Sequence, residues 1–524
     1  MTGARQHTTT RENAEPALCD ADDGTAQAMI QPLFPQLAVW IGVGFITLAM
    51  TCRAISVKVP VFDWDEYAFA LVARDVLHGI LPYSGVFDSK PVGLIYLFAI
   101  AEWMGGQTVF ALRAVGFVAS AATGGILYQS CRQLKLVPAL GVAIIPLFLF
   151  LVVYKDGWAS MSELVACPFL ALANYLVVQG GWRRRWFLLG FGAVFSVACE
   201  ITYLAIPCLA FMAPGILLLG EHKTVSARLF DAMLMAVGFG VLTALIWMPQ
   251  LLSGAWPSFI AQQLQYHEHY RADSSSLMHW LRHFIMPLGL LCLPALGALG
   301  LRAWREHAIP SVFSAPFCVI SLEVLGASVA AAASNRMAPH YFILALPGIA
   351  LLTAMMFARS AERTLRFGII FLLLVVAVLA VWQVGVLRTA IRTPSFDKQA
   401  AVLVDRYSNV DQGIFVFDET PAIYFLSQRK TVSRYVFPTH YIPSFGGTPQ
   451  ITPSAVLAQA LARHPALLAV GFLEPVDLDI GAIAREAGFH IISRMDLNGR
   501  SLVLYAPVVS ARCCFQLPTF SSYQ

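Results

Sequence analysis

VFDWDEYAFALVARDVLHGILPYSGVFDSKPVG, residues 61–93, is the stretch on which the reading of this chain turns. It carries Asp63, Asp65, Glu66, Arg74, Asp75, Asp88 and Lys90. That density stands out because charge is scarce elsewhere: 13% of the 524 residues are charged and 58% are hydrophobic. Soluble domains have about 25% charged residues, and the mean hydropathy here is +0.67. These values exclude a soluble enzyme, a disordered protein and a nucleic-acid binder, and imply a chain dissolved mostly in lipid. The net charge of +4 is small, so the placement of charges matters more than their sum. The ten cysteines lie mostly in apolar runs, where Cys acts as a small hydrophobe. None has disulfide-framework or metal-ligand spacing, and the adjacent Cys513 and Cys514 acquire no role.

On either side of the charged stretch, apolar runs of roughly 17–22 residues recur, long enough to cross a bilayer. They fall near 36–56, 107–128, 137–154, 162–179, 186–203, 204–219, 229–250, 284–301, 310–333, 341–357 and 367–386. Residues 1–35 are polar and aperiodic and read as a disordered tail. Basic residues cluster in alternate loops: Arg132 and Lys135, Arg183 to Arg185, Lys223 and Arg228, Arg302 and Arg305, and Arg359, Arg363 and Arg366. By the excess of cations in cytoplasmic loops, that side and the N-terminus are expected in the cytoplasm. Eleven spans then put residues 388–524 outside, together with the long first loop at 57–106. The C-terminal region reads as α/β, with strands at 414–419, 467–472, 490–495 and 501–507 and helices at 455–464 and 479–488.

Within the first loop, Trp64, Tyr67, Ala68, Leu71, Val72 and Val76 recur at helical spacing. This predicts a short amphipathic helix lying in the membrane interface, ended by Gly79 and Pro82, with Asp65, Glu66 and Arg74 near its polar side. Each charge also has a bland reading. Asp63 and Glu66 have the spacing of a capping box, Lys90 fits a snorkelling cation, and Arg113 fits a helix-end charge. Together, beside a membrane bundle, they read as a functional site.

On these residues the sequence resembles the polyprenyl-phosphate-dependent membrane glycosyltransferases of the GT-C fold. The branch is that of the protein O-mannosyltransferases and the bacterial enzymes that add aminoarabinose, galacturonic acid or mannose at the cell envelope. The resemblance is carried by Asp65-Glu66-Tyr67, by the turn from Gly79 to Tyr83, and by Phe87 to Pro91. It extends to Arg113 in FALRAVGF, the turn SNRMAPHYFILALP (334–347) and, more weakly, residues 415–437. Two departures stand out: Val92 occupies the place of a second Pro after Lys90-Pro91, and Glu200 lies where many members have Lys. The donor-sugar specificity is therefore not carried over.

The resemblance implies a bundle of about eleven transmembrane helices with a small extracytoplasmic α/β domain, in a bacterial inner membrane. It implies transfer of a sugar, with inversion, from a polyprenyl-phosphate donor to a hydroxyl of a lipid, glycan or protein on the outer side. Asp65 is the candidate base, since a hydroxyl must lose its proton as it attacks. Glu66 is expected to orient Asp65, contact the acceptor or cap the helix. The phosphate leaving group needs preorganised positive charge, for which Lys90, Arg113, Arg336 and His340 are the candidates. Tyr67, Tyr83, Asp88, Glu163 and Tyr341 are further candidate substrate contacts, and Asp88 and Glu163 have equally good readings as a turn residue and a helix N-terminal charge. His267 and His269 lie at i, i+2, a spacing that does not share a helix face. No cofactor is read with certainty, and a divalent metal is left open because family members differ in it. The rival readings are a lipid-linked sugar transporter and a non-catalytic envelope assembly protein. Transporters favour repeats and mid-membrane sites, whereas the charges here concentrate at one face.

Overall fold

The computed structural model describes residues 23–180, 184–220, 224–254, 256–257, 259–260, 314–334, 338–358, 362–442, 451–473 and 476–508. These residues form a helical bundle followed by a small mixed sheet domain. The bundle comprises α1 (Asp23–Ile55), α2 (Asp65–Leu77), α3 (Val92–Gly105), α4 (Val109–Gln133), α5 (Pro138–Tyr154) and α6 (Ser162–Val178). It continues with α7 (Arg185–Ile201), α8 (Ile206–Leu219), α9 (Val225–Leu252), α10 (Ala315–Ala333), α11 (Leu346–Ala358) and α12 (Glu362–Arg392). A 3₁₀ segment, Pro339–Ala345, leads into α11.

Among the described residues, six helical segments are long and apolar enough to cross a membrane, and four shorter apolar helices accompany them. The chain is thus a multi-pass membrane protein. Each expected span within the described residues coincides with a helix, and the one expected at 284–301 lies outside them. Prolines inside α5, α6, α8 and α9 are tolerated because neighbouring helices satisfy the freed carbonyls. Buried hydroxyls of Ser120, Thr123 and Ser130 donate to carbonyls one turn back, which satisfies them within α4.

Two expectations need correction. Residues 23–35, expected in a disordered tail, belong to α1. Ala26, Ala28 and Met29 are good helix formers, although the apolar span itself begins at Phe34. Helix α2 does not lie half-exposed at a lipid interface: Glu66 to Arg74 are all buried. One side packs on α3 and the other on the C-terminal domain, so what reads as a polar face is an internal one. The capping box does not form: Trp64 takes the N-cap position of α2 without a side-chain cap. Asp63 Oδ1 accepts from the Asp65 amide at 2.9 Å, while Glu66 turns away to other partners.

The C-terminal domain holds α13 (Phe396–Tyr407), β1 (Gly413–Phe417), α14 (Ala422–Leu426), β2 (Lys430–Thr431), α15 (Pro453–Leu461), β3 (Leu467–Gly471), α16 (Ile480–Glu486), β4 (Phe489–Leu497) and β5 (Arg500–Pro507). The sheet order is β2-β1-β3-β5-β4. Strand β1 runs parallel to β2 and β3, with Ile414 opposite Leu467. Strands β5 and β4 close the other edge antiparallel. The uninterrupted apolar runs GIFVF and LLAVG suit the buried centre. Side chains of Ser395, Thr452 and Asp479 cap α13, α15 and α16.

Helices α7 and α9 approach at two glycines. A Cβ on Gly192 would meet the Met235 carbonyl, and one on Gly238 the Leu189 carbonyl. Small residues at such crossings let backbones pack closely in membranes. Gly238→Leu is expected to lower thermal stability in detergent by about 1–3 kcal/mol or more. Gly240→Ala, into open space, should stay within about 0.5 kcal/mol.

Candidate active site

Where the first loop, the start of the 3₁₀ segment and the C-terminal domain converge, they leave a cavity of about 370 Å³. Asp65, Phe69, Asp88 and Lys90 line it from the first loop, and Tyr203 from the α7–α8 junction. His340 and Tyr341 contribute from the 3₁₀ segment, and Phe437, Thr439 and His440 from the C-terminal domain. Of the residues expected from sequence, the fold therefore brings Asp65, Asp88, Lys90, His340 and Tyr341 to one space.

The Lys90 ammonium is held by Ser162 Oγ at 3.1 Å, lies 3.7 Å from Glu163 Oε1 and sits over the Phe69 ring. Asp88 Oδ1 accepts from the Lys90 amide at 2.8 Å, a turn contact that leaves the residue on the cavity wall. Burial pushes the Asp88 carboxyl up to about 7, against the opposing pull of Lys90. Burial and the charge of Asp65 likewise hold the Asp63 carboxyl well above the usual range. Of the two, Asp65 lines the cavity and Asp63 does not.

Other expected residues stand behind the wall. Glu66 and Arg113 form an ion pair at 2.6 Å, both almost fully buried. Glu66 also accepts from the Ser160 amide, and Arg113 donates to the Trp158 carbonyl at 2.9 Å. Neither lines the cavity; each is the other's counter-charge in the buried interior. Tyr67 donates its hydroxyl to the Pro60 carbonyl and packs edge-on against Phe425. Tyr83 donates to the Lys90 carbonyl at 2.7 Å and stacks on Trp247. Glu163 is fully buried and accepts from Ser162 at 2.9 Å, so it faces Lys90 from behind. Arg336, His267 and His269 lie outside the described residues. Among the described residues, no group of three His, Cys, Asp or Glu is placed to hold a metal ion.

The contributions of Phe437, Thr439 and His440 were not legible, since nothing in RYVFPTHYIP marks it as a wall of the membrane site. What brings it there is docking of the C-terminal domain on the first loop. Phe87 donates its amide to the Arg434 carbonyl at 2.8 Å, Arg434 donates to the Tyr83 carbonyl, and Arg74 donates to the Arg429 carbonyl at 3.0 Å. Glu419 is held by Arg500, which also binds Asp397. Asp418, Glu419, Arg429 and Arg434 all stand outside the cavity.

A multi-span bundle whose first loop and C-terminal domain enclose one charged cavity is the GT-C fold. The chain superposes on ArnT from Cupriavidus metallidurans bound to undecaprenyl phosphate with a TM-score of 0.62 and 13% identity, covering 88% of this chain and 97% of that one. The apo form of the same enzyme gives 0.61 and 14% over the same shares. The Archaeoglobus fulgidus oligosaccharyltransferase is more distant, at 0.41 and 13%, over 81% of this chain and 68% of that one. No family model and no curated protein matches the sequence.

The buried pair gives a test of its role. Arg113→Ala, which leaves Glu66 uncompensated, is expected to destabilise the protein by about 3–5 kcal/mol. The paired change Glu66→Leu with Arg113→Met should cost much less, as read by thermal unfolding of the purified protein. A direct phosphate contact would instead show as weakened donor binding at unchanged stability.

Proposed function

We propose that this protein is a membrane glycosyltransferase of eleven spans with its N-terminus in the cytoplasm. It moves a sugar from a polyprenyl-phosphate donor to a hydroxyl acceptor on the side of the membrane that bears the C-terminal domain. The observation that carries this reading is the meeting of Asp65 with Lys90 and His340 around one cavity at the edge of the bundle. A lipid donor reaches such a place from the bilayer, and a wet acceptor reaches it from outside.

In this reading the Asp65 carboxylate accepts the hydroxyl proton as the new glycosidic bond forms. The bond from the anomeric carbon to phosphate oxygen breaks, and the polyprenyl phosphate leaves as an anion that needs no proton. Lys90 and His340 stabilise the charge that builds on it. Direct displacement inverts the anomeric centre. Glu163, Ser162 and Tyr83 position Lys90, whereas Glu66 and Arg113 fix α2 so that Asp65 keeps its place.

The deciding experiment supplies purified wild-type and Asp65→Asn protein in liposomes with a panel of polyprenyl-phosphate sugars and candidate acceptors. Wild type should release polyprenyl phosphate, and Asp65→Asn should lose about 10²–10⁴-fold, the usual contribution of a general base. Equal release by both would remove Asp65 from the chemistry. A transporter would move donor across the bilayer without releasing phosphate, and an assembly protein would tolerate the substitution.

Asp88 sets a pH dependence with a definite sign. With its carboxyl near 7, it is neutral below that pH and negative above it. Binding of the anionic donor should therefore weaken as pH rises through 7, by about fivefold for one charge worth about 1 kcal/mol in a wet cavity. Asp88→Asn should flatten this dependence in donor-binding titrations.

A further inference from the structure

A second cleft, of about 630 Å³, opens where α1 and α12 run out into the C-terminal domain. Its walls carry Lys58, just past the end of α1, Lys398 and Arg406 on α13, and Arg494 on β4. Among the described residues none of these four cations is paired with a carboxylate. The helix enforces this. Lys398, Val402 and Arg406 fall at i, i+4 and i+8, on one face. The two carboxylates of α13 are drawn elsewhere, Asp397 to Arg500 and Asp405 to Arg429 at 3.0 Å each. Four like charges, all exposed, thus line one cleft without a carboxylate partner among the described residues, where an anion can meet them together.

The rest of the lining is apolar: Ile391, Val402, Leu403 and Met495 stand among the cations. Val402 is 54% exposed and Ile391 41% exposed. Along α12, Val381, Val384 and Ile391 follow one another on an exposed side of the helix that leads to the cleft. Val381 is 77% exposed, as expected for a side chain facing lipid. An acyl chain lying on that ridge would bring its headgroup to the cations. The cleft shares no lining residue with the Asp65 cavity, so it is not a second mouth of the catalytic space.

We propose that this cleft binds the phosphate headgroup of an anionic phospholipid in the leaflet beside the C-terminal domain, pinning that domain to the bilayer. The proposal is independent of the glycosyltransferase reading. Lys58 comes from the bundle, Lys398 and Arg406 from the helix that follows it, and Arg494 from the sheet. A headgroup held by all three therefore ties the two halves together from the lipid side.

The test titrates the full-length protein in detergent with phosphatidylglycerol and with phosphatidylcholine, and counts retained lipid by native mass spectrometry. Wild type should retain phosphatidylglycerol roughly tenfold more tightly, in line with the attraction of a few cations to an anionic lipid. Lys398→Gln with Arg406→Gln, and separately Lys58→Gln with Arg494→Gln, should each lower that preference severalfold. Lys430→Gln with Arg485→Gln, on other faces of the domain, should leave it intact. Displacement of phosphatidylglycerol by millimolar inorganic phosphate would support recognition through the phosphate. The proposal is overturned if wild type holds both lipids equally, if both cleft variants keep the preference, or if inorganic phosphate stabilises the protein while no lipid is retained. All four cations are exposed, so their substitution leaves the core intact, and unchanged thermal unfolding without lipid checks it.

Discussion

The buried pair between Glu66 and Arg113 is the contact on which the candidate site depends. Two opposite charges at 2.6 Å, with almost no access to water, are costly to bury and far costlier to separate. Glu66 belongs to α2, and Arg113 to α4. The Ser160 amide and the Trp158 carbonyl join them from the loop between α5 and α6. Three parts of the chain are thereby locked in one arrangement. Asp65 is the neighbour of Glu66, so the direction in which Glu66 is pulled fixes the direction in which Asp65 faces. The charged residue that chemistry would use and the one that architecture uses are adjacent in sequence and point to different places.

Lys90 shows the same division from the other side of the cavity. Its ammonium is shared between Ser162, Glu163 and the Phe69 face, and its carbonyl is held by Tyr83. A point charge on a flexible stem becomes directional only when such partners remove its freedom. The C-terminal domain completes the enclosure. The Phe87 amide donating to the Arg434 carbonyl, and the Arg74 guanidinium donating to the Arg429 carbonyl, bring Thr439 and His440 over the cavity. That domain is thus a wall of the site as well as a cover.

Much of this was legible in the residues. The apolar runs gave the helices, with boundaries that missed most at the start of α1 and at both ends of α12. The apolar strands of the C-terminal domain were readable, whereas β2, of two residues, was too short to leave a pattern. Asp65, Asp88, Lys90, His340 and Tyr341 were singled out from a crowded first loop and a short turn, and they line one cavity. Five other candidates stand apart from the cavity. Glu66, Arg113, Tyr67, Tyr83 and Glu163 carry the same chemical signals as the cavity residues, yet they face inward, to partners far away in the chain. The amphipathic reading of α2 failed for the same reason, since its polar side meets protein rather than water.

By itself, then, the sequence determined a multi-pass helical bundle, an α/β tail and the small set of residues able to carry charge at one membrane face. Composition and periodicity suffice for this because burial in lipid is decided segment by segment. The tertiary structure alone decided which of those charges meet a cavity and which neutralise one another. It also decided that His440 joins Lys90, and that Lys58, Lys398, Arg406 and Arg494 share a cleft. Those outcomes rest on contacts between residues hundreds of positions apart. The energy of an ion in a dry interior depends on what stands a few ångströms away, and sequence spacing does not encode that.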